Sequence, residues 1–523
     1  MDSPIFGKLQ DVIQHTARSP LWFGMAEQAI NTIYLLGEQP DLLCSAIIKT
    51  LTAKVFVNPP LAAKAVQMEV EEEKEVFEDA VETLTQTRSR TPSVISQDQV
   101  GAFCLAQLVF AVGHVAIKHI VYLELVEREF KRRKDENAKQ KAAEKVAEKD
   151  GNDLDAVAGN AEDDIGELIQ SIRERELLFG QKSLLAVYGP MIASICASPK
   201  RYRSASLRQA ASLALTKLMC VSKEFCESHL LLLFKILESS KDATVRGNIV
   251  IALGDIAVCW GSLIDDNSER LYQGLGDSDL GVKKNTLMVL THLILNGMIK
   301  VKGQLGEMAK CLEDPDQRIS DLAKLFFSEL STKDNALYNN LQDVISHLSI
   351  GTHAVDEETF ERTMRFIFTF IEKEKQAEQL VEKLCMRFRL ATEERQWRDI
   401  SFCLSLLPFK SERSVKKLIE GLPFYQDKLH EEMVFRRFTE ILSKARANKA
   451  SNKPETELKE FEAILQEHQA KGLEEQQLEA DVARKTKAAK RKAARKPVAK
   501  EKEKGSKRGG RRKAVIDSEE EDE

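Results

Sequence analysis

At 523 residues the chain is longer than one compact core supports, so it divides into several domains or builds an extended array. Hydrophobic residues make up 43% and aromatics 6%, with 13 prolines and 25 glycines, which favours helices packed through aliphatic side chains and argues against a turn-rich β protein. The net charge of −5 hides a tail of 16 Lys/Arg against Glu501 and Glu503 over 484–513, then six carboxylates over 514–523, which leaves −13 on residues 1–483 and excludes a protein that coats nucleic acid over its whole surface.

In chain order, apolar periodicity places helical repeats over 1–68. Residues 1–10 lack a charged region followed by an apolar stretch, so no secretory signal is expected. Residues 69–98 read as a charged, then Ser/Thr/Arg-rich linker that contains Thr91 before Pro92. A further repeat follows over 99–130; its apolar run, 102–117, contains Gln107 and His114 and stops at Lys118 and His119. That run falls short of the roughly 20 residues a membrane span needs, so no membrane contact is expected. Residues 131–166 form a charge-dense insertion, expected to be partly helical and partly disordered.

Self-comparison finds a recurring helix start at Ser204, Asp242, Asp279 and Asp316, spaced 38, 37 and 37. Three residues after each comes an apolar side chain, Leu207, Val245, Val282 or Ile319. Eleven and fourteen after come Leu215/Leu218, Leu253/Ile256, Leu290/Leu293 and Phe327/Leu330, all on one helical face. Ser or Asp at the start is a preferred N-cap, because its oxygen accepts a free backbone N–H. Further apolar stripes over 225–237, 263–275, 301–312 and 341–348 make each repeat two helices, the pattern of HEAT or armadillo units. A basic residue follows the first apolar one as Arg208, Arg246 and Lys283, whereas Ser320 departs and Arg318 stands nearby. Asp242, Arg246, Asp279, Lys283, Asp316 and Arg318 are therefore expected to form a ladder tying adjacent repeats together.

The repeat domain is drawn over 167–355, C-terminal helical repeats over 356–447, a charged helix or linker over 448–483, and a disordered basic-then-acidic tail over 484–523. Two basic clusters, Lys487, Lys490, Arg491, Lys492, Arg495 and Lys496, then Lys507, Arg508, Arg511, Arg512 and Lys513, are candidates for nuclear import and DNA contact. Thr91, Ser198 (in Ser-Pro-Lys-Arg) and Ser518 (in an acidic run) are candidate phosphorylation sites, although Ser198 also suits a turn before the repeat helix.

No phosphate-binding Gly-x-x-x-x-Gly-Lys-Ser/Thr occurs, no His-Glu-x-x-His, and no Cys-x-x-Cys among nine scattered cysteines. No catalytic, cofactor-binding or metal-ligating residue is assigned, and no cofactor is expected. The cysteine pattern suits a reduced compartment.

The segments 188–237, ATVRGNIVIALGDIAVCW (243–260) and DPDQRISDLAKLFFSELSTKDNALYNNLQDVISHL (314–348) resemble the conserved domain of condensin subunits. RFIFTFIEKEKQAEQLVEKLCMRF (365–388), RQWRDISFCLSLLPF (395–409) and KLIEGLPFYQDKL (417–429) resemble its continuation in the condensin complex subunit 1 family, the non-ATPase HEAT-repeat subunits of condensin I. The likeness runs from residue 1 to about 450, with the family's long N-terminal region lacking, so the chain is similar to a C-terminal portion or short isoform. The resemblance implies an all-α, HEAT/armadillo-like solenoid acting as a regulatory scaffold with a structural-maintenance-of-chromosomes ATPase pair, a kleisin subunit and a second HEAT subunit. It also implies mitotic chromosome condensation, contacts with chromatin DNA and histones, and residence in the nucleus, on mitotic chromosomes and in the interphase cytoplasm. The rival reading is a nuclear-transport or adaptor solenoid with a tryptophan/asparagine-lined groove, but Trp22, Trp260 and Trp397 fall in no repeated register.

Overall fold

A computed structural model of the chain describes residues 4–15, 19–56, 97–147, 160–181, 183–300, 303–333, 335–447, 458–459, 461–471 and 474. These residues form helices and short connections with no β-strand among them, the expected all-α repeat architecture. The chain divides into two compact units, Met1–Glu372 and Lys373–Glu523.

The first unit starts with α1 (Pro4–Gln14), α2 (Leu21–Leu36) and α3 (Pro40–Phe56). Trp22, Ala26, Ala29, Ile30 and Ile33 form the buried stripe of α2, at the spacing that keeps one helical face toward a core. The next helix, α4 (Gln97–Ala147), is 51 residues long and packs on α2 and α3. Its stretch 101–137 is long and apolar enough to cross a membrane, but 67% of the apolar window is buried inside the protein. This is a core helix.

The boundary drawn at 130 lies inside α4, which continues through the first half of the expected insertion. Sequential ion pairs supply the reason: Lys131–Glu127 and Arg133–Glu129 at 2.8 Å and Arg132–Glu136 at 2.5 Å are all spaced i,i+4. Such i,i+4 pairs of opposite charge favour helix in a solvated segment. A further helix, α5 (Asn160–Ser171), crosses the boundary drawn at 166.

After α6 (Tyr188–Ala197) come the capped repeat helices α7 (Ala205–Val221), α9 (Ala243–Cys259), α12 (Leu280–Leu295) and α14 (Gln317–Thr332). Neighbours in this series pack directly on one another, and α4 covers α7. Every apolar position at three, eleven and fourteen after the caps is buried, from Leu207 to Leu330. The second helices are less regular. Lys223–Ser239 is one continuous helix, α8, but the 263–275 stripe is broken into α10 (Gly261–Asp265), α11 (Ser268–Tyr272) and a 3-10 turn. The break falls at Asp266 and Asn267, turn-forming residues, and the Asn267 side chain donates to the carbonyl of Leu263 at 2.9 Å. In the next repeat α13 is short (Leu305–Lys310), followed by a 3-10 turn. The unit closes with α15 (Ala336–Ser349) and α16 (Glu357–Phe368). Helix α16 belongs with this unit, beyond the boundary drawn at 355, and Arg362 Nε bonds Glu313 at 2.8 Å.

The second unit contains α17 (Glu374–Arg387), α18 (Glu394–Leu406), α19 (Glu412–Glu420), α20 (Leu422–Tyr425) and α21 (Glu432–Ala447). Its core is aromatic: the rings of Tyr425 and Phe438 stack at 4.3 Å and Phe388 lies 5.7 Å from Tyr425. The Tyr425 hydroxyl donates to the Leu418 carbonyl at 2.8 Å, so the phenol is buried with its partner in place. Within 448–483, helical residues 461–471 bury Phe461 and Leu465, which makes that stretch part of the packed unit and more than a linker.

Candidate functional site

The capped turns combine local and inter-repeat bonding. Asp242 accepts from the backbone N–H of Thr244 at 2.9 Å, Asp279 from Val282 at 3.0 Å, and Asp316 from Arg318 at 2.9 Å and Ile319 at 3.3 Å. Each satisfies donors that a helix start leaves free. Ser204 caps α7 through Leu207 N–H at 3.4 Å.

The basic residues reach forward to the next repeat, and their partners are aspartates two positions before the caps. Arg246 forms a two-pronged pair with Asp277, at 2.7 and 2.8 Å, and its third nitrogen donates to the Ser240 carbonyl at 3.0 Å. Lys283 bonds Asp314 at 2.7 Å. The same carboxylates accept the N–H of the following cap, Asp277 from Asp279 at 2.8 Å and Asp314 from Asp316 at 2.9 Å. In the first turn Gln209 makes the step, donating to Asp242 at 2.8 Å. The Arg246 guanidinium holds the Asp277 carboxyl below the usual carboxylate range. Asp277 and Asp314 escaped the reading of the repeats, although each forms a visible Asp-x-Asp with its cap.

Arg318 departs from the expected ladder. It is exposed, with its backbone N–H held by Asp316, and at the register of Arg246 and Lys283 stands buried Ser320. The Ser320 hydroxyl donates to Leu312 eight residues back in the same turn, at 2.7 Å, because a short side chain cannot span to the next repeat.

Nine residues after each of the last three caps, an apolar side chain faces solvent: Ile251, Met288 and Leu325 are 46%, 50% and 57% exposed. The three stand at one register of α9, α12 and α14, helices that pack one against the next. A spacing of 37 between them was the available signal.

Ser198 is half-buried at the end of α6, and its carbonyl accepts from the N–H groups of Arg201 and Tyr202 at 3.1 Å, so it belongs to a formed turn. Thr91, Ser518 and all eleven basic candidates from Lys487 to Lys513 lie outside the described residues. His114 lies between Asn31, 2.9 Å from Nε2, and Lys217, 3.1 Å from Nδ1. Burial, aided by Lys217 and Lys118, pulls His114 down to about 3. Lys217 is itself pulled down to about 8 by burial, with Glu27 opposing. Glu307, His347 and His353 gather at one carboxylate oxygen, a grouping that residues 40 and 46 positions apart did not announce.

The family described as non-SMC mitotic condensation complex subunit 1 matches residues 244–405. Condensin complex subunit 1 of Schizosaccharomyces pombe is 42% identical over 418 residues, 79% of this chain and 35% of that protein. Condensin complex subunit 1 of Xenopus laevis is 39% identical over 492 residues, 91% of this chain and 33% of that protein. The chain thus spans about a third of the length of the curated relatives it matches. Among solved structures, the C-terminal fragment of the Chaetomium thermophilum cohesin loader SCC2 superposes with a TM-score of 0.41 at 12% identity, covering 88% of this chain and 41% of that one.

Proposed function

Because this chain belongs to the condensin complex subunit 1 family, we propose that it is a non-catalytic scaffold of a condensin assembly acting in mitotic chromosome condensation. Its partners in this reading are the structural-maintenance-of-chromosomes ATPase pair, the kleisin and the second HEAT subunit, and ATP chemistry belongs to them. The basic tail engages chromatin DNA and the acidic terminus engages histones. The chain resides in the nucleus and on mitotic chromosomes, and in the cytoplasm during interphase.

The observation that most supports a platform is the register of exposed Ile251, Met288 and Leu325 on helices locked together by Arg246–Asp277 and Lys283–Asp314. Polar coupling at the turns holds successive helices in one arrangement, so these apolar side chains can be offered to a partner without costing the core. The nuclear-transport reading asks for indoles lining a groove. Here the indole N–H of Trp22 donates to the Ile13 carbonyl, that of Trp260 to Met219 and that of Trp397 to Ala391, at 3.2, 2.9 and 3.0 Å.

Affinity purification from mitotic extract, with three forms of the chain, tests this. The intact chain is expected to carry the ATPase pair and the kleisin; I251D/M288D/L325D is expected to lose them while melting at an unchanged temperature. A form ending at Ala483 is expected to keep the subunits and lose duplex DNA. If about six tail cations contact phosphates, DNA affinity falls with a log-log salt slope near about −5. Absence of those subunits from the intact chain's eluate would sink the scaffold reading.

A further inference from the structure

We propose that Glu307, His347 and His353 form a binding site for a divalent cation of zinc's class, with a fourth position open to water or to a ligand from outside the chain.

Three elements of the first unit supply the donors. Glu307 lies on α13, His347 on the last turn of α15, and His353 at the end of the 3-10 turn Gly351–His353. Glu307 Oε1 is 2.7 Å from His347 Nε2 and 2.8 Å from His353 Nδ1, and the two imidazoles stack 4.7 Å apart at an interplanar angle of 25°. All three donor atoms lie within 4.8 Å of one another. Ligands on a tetrahedral zinc, at about 2.0–2.2 Å from the ion, stand about 3.3 Å apart, so small outward shifts of these side chains admit the cation.

Two glycines build this arrangement. A Cβ at Gly306 would meet His347 Cδ2 at 2.4 Å and Cγ at 2.6 Å, so the ring reaches Glu307 because no side chain precedes it. Gly351 has φ +78°, a left-handed conformation that other residues resist, and it folds the chain back so that His353 stacks on His347 only six residues on.

The chemistry of the donors selects the ion. Two imidazole nitrogens with one carboxylate suit borderline first-row ions such as zinc, whereas magnesium and calcium prefer all-oxygen shells. Lys310 Nζ also lies 2.8 Å from Glu307 Oε1, so an ammonium already sits against this oxygen and a divalent cation exchanges with it. His353 is exposed, which gives solvent access and leaves room for a fourth ligand.

The test uses the full chain stripped of metal, titrated calorimetrically with Zn²⁺ alone and, separately, followed by visible absorption with Co²⁺. The wild-type chain, His353→Gln and Glu307→Gln are compared; His353 is exposed, so H353Q keeps the fold, checked by circular dichroism. Wild type is expected to bind one equivalent that H353Q and E307Q bind at least about tenfold more weakly, to show a cobalt d–d band that H353Q lacks, and to melt higher with zinc. Equal stoichiometry and affinity in wild type and H353Q, or no zinc binding by wild type at millimolar concentration, would overturn the site and leave a hydrogen-bonded cluster. If E307Q fails to fold, the H353Q comparison alone decides.

Discussion

Where α9 meets the turn before α12, Arg246 and Asp277 face each other as a charged pair; where α4 meets α7, Lys217 and His114 face each other beside the Phe110 ring. The first joint keeps both charges, and the arginine holds the carboxylate ionised to lower pH than usual. The second keeps the imidazole neutral, because a proton on it would sit desolvated beside Lys217 and Lys118. Two successive repeat-to-repeat joints are therefore tied by opposite charges, whereas the long helix is held mainly by apolar packing, with polar bonds such as those of His114 to Asn31 and Lys217. Acid should reach the two joints at different pH values.

The largest effect is expected at the apolar joint. Phe110 of α4 is buried, lies 5.2 Å from the Phe23 ring and carries Lys217 over its face at 5.0 Å. Phe110→Ala should cost about 3–5 kcal/mol of unfolding free energy, read by urea denaturation. A cost near that of a surface change would break the comparison, since α4 would then not be a core element.

Next comes the ladder. Asp277→Ala leaves Arg246, whose side chain is 14% exposed, without its two-pronged partner and should cost about 1.5–3 kcal/mol. In a double-mutant cycle with Arg246→Ala the two costs should fall short of adding, because they remove one interaction. Strict additivity would show that the turns do not couple the repeats.

The pH dependence sharpens the contrast. His114 binds its proton at about 3 in the fold and at 6.5 when unfolded. Between those values the unfolded chain holds more protons, so stability is full above 6.5 and declines as pH falls, by up to about 1.4 kcal/mol per pH unit. His114→Gln should flatten that decline in melting temperature. Asp277 has the opposite origin but the same sense: its contribution is present above the unfolded value of 3.8 and is lost as pH falls through the lowered folded value. Asp277→Asn should therefore lower stability by a constant amount above pH 4 and flatten the acid limb below it, with the slope near neutrality unchanged.

The smallest effect belongs to the caps. Asp316→Ala should cost about 0.5–2 kcal/mol, confined to the start of α14 and visible as faster amide exchange there.

Much of the fold was legible because the signals are local. A cap and the apolar face behind it lie within one helix, so Ser204, Asp242, Asp279 and Asp316 announce the repeat without reference to any neighbour. The second helices were read less well, since short elements such as α10, α11 and α13 owe their limits to turn residues and tertiary packing more than to periodicity. The extent of α4 was missed for a related reason: its charged second half looks like a solvated insertion unless the i,i+4 order of Glu127, Lys131, Glu129 and Arg133 is weighed.

By itself, then, the sequence determined the repeat period, the capping residues, the buried positions behind them and the family, all of which follow from side chains acting within one helix or from wording compared with relatives. Only the tertiary structure decided that Arg246 and Lys283 reach Asp277 and Asp314, each 31 residues ahead, and that Arg318 stays out of the ladder. It alone showed Ile251, Met288 and Leu325 exposed to solvent and brought Glu307 to His347 and His353. The physical reason is common to all of these. Helix capping and periodicity depend on neighbours a few positions away, whereas a partner a repeat away is chosen by how the helices stack.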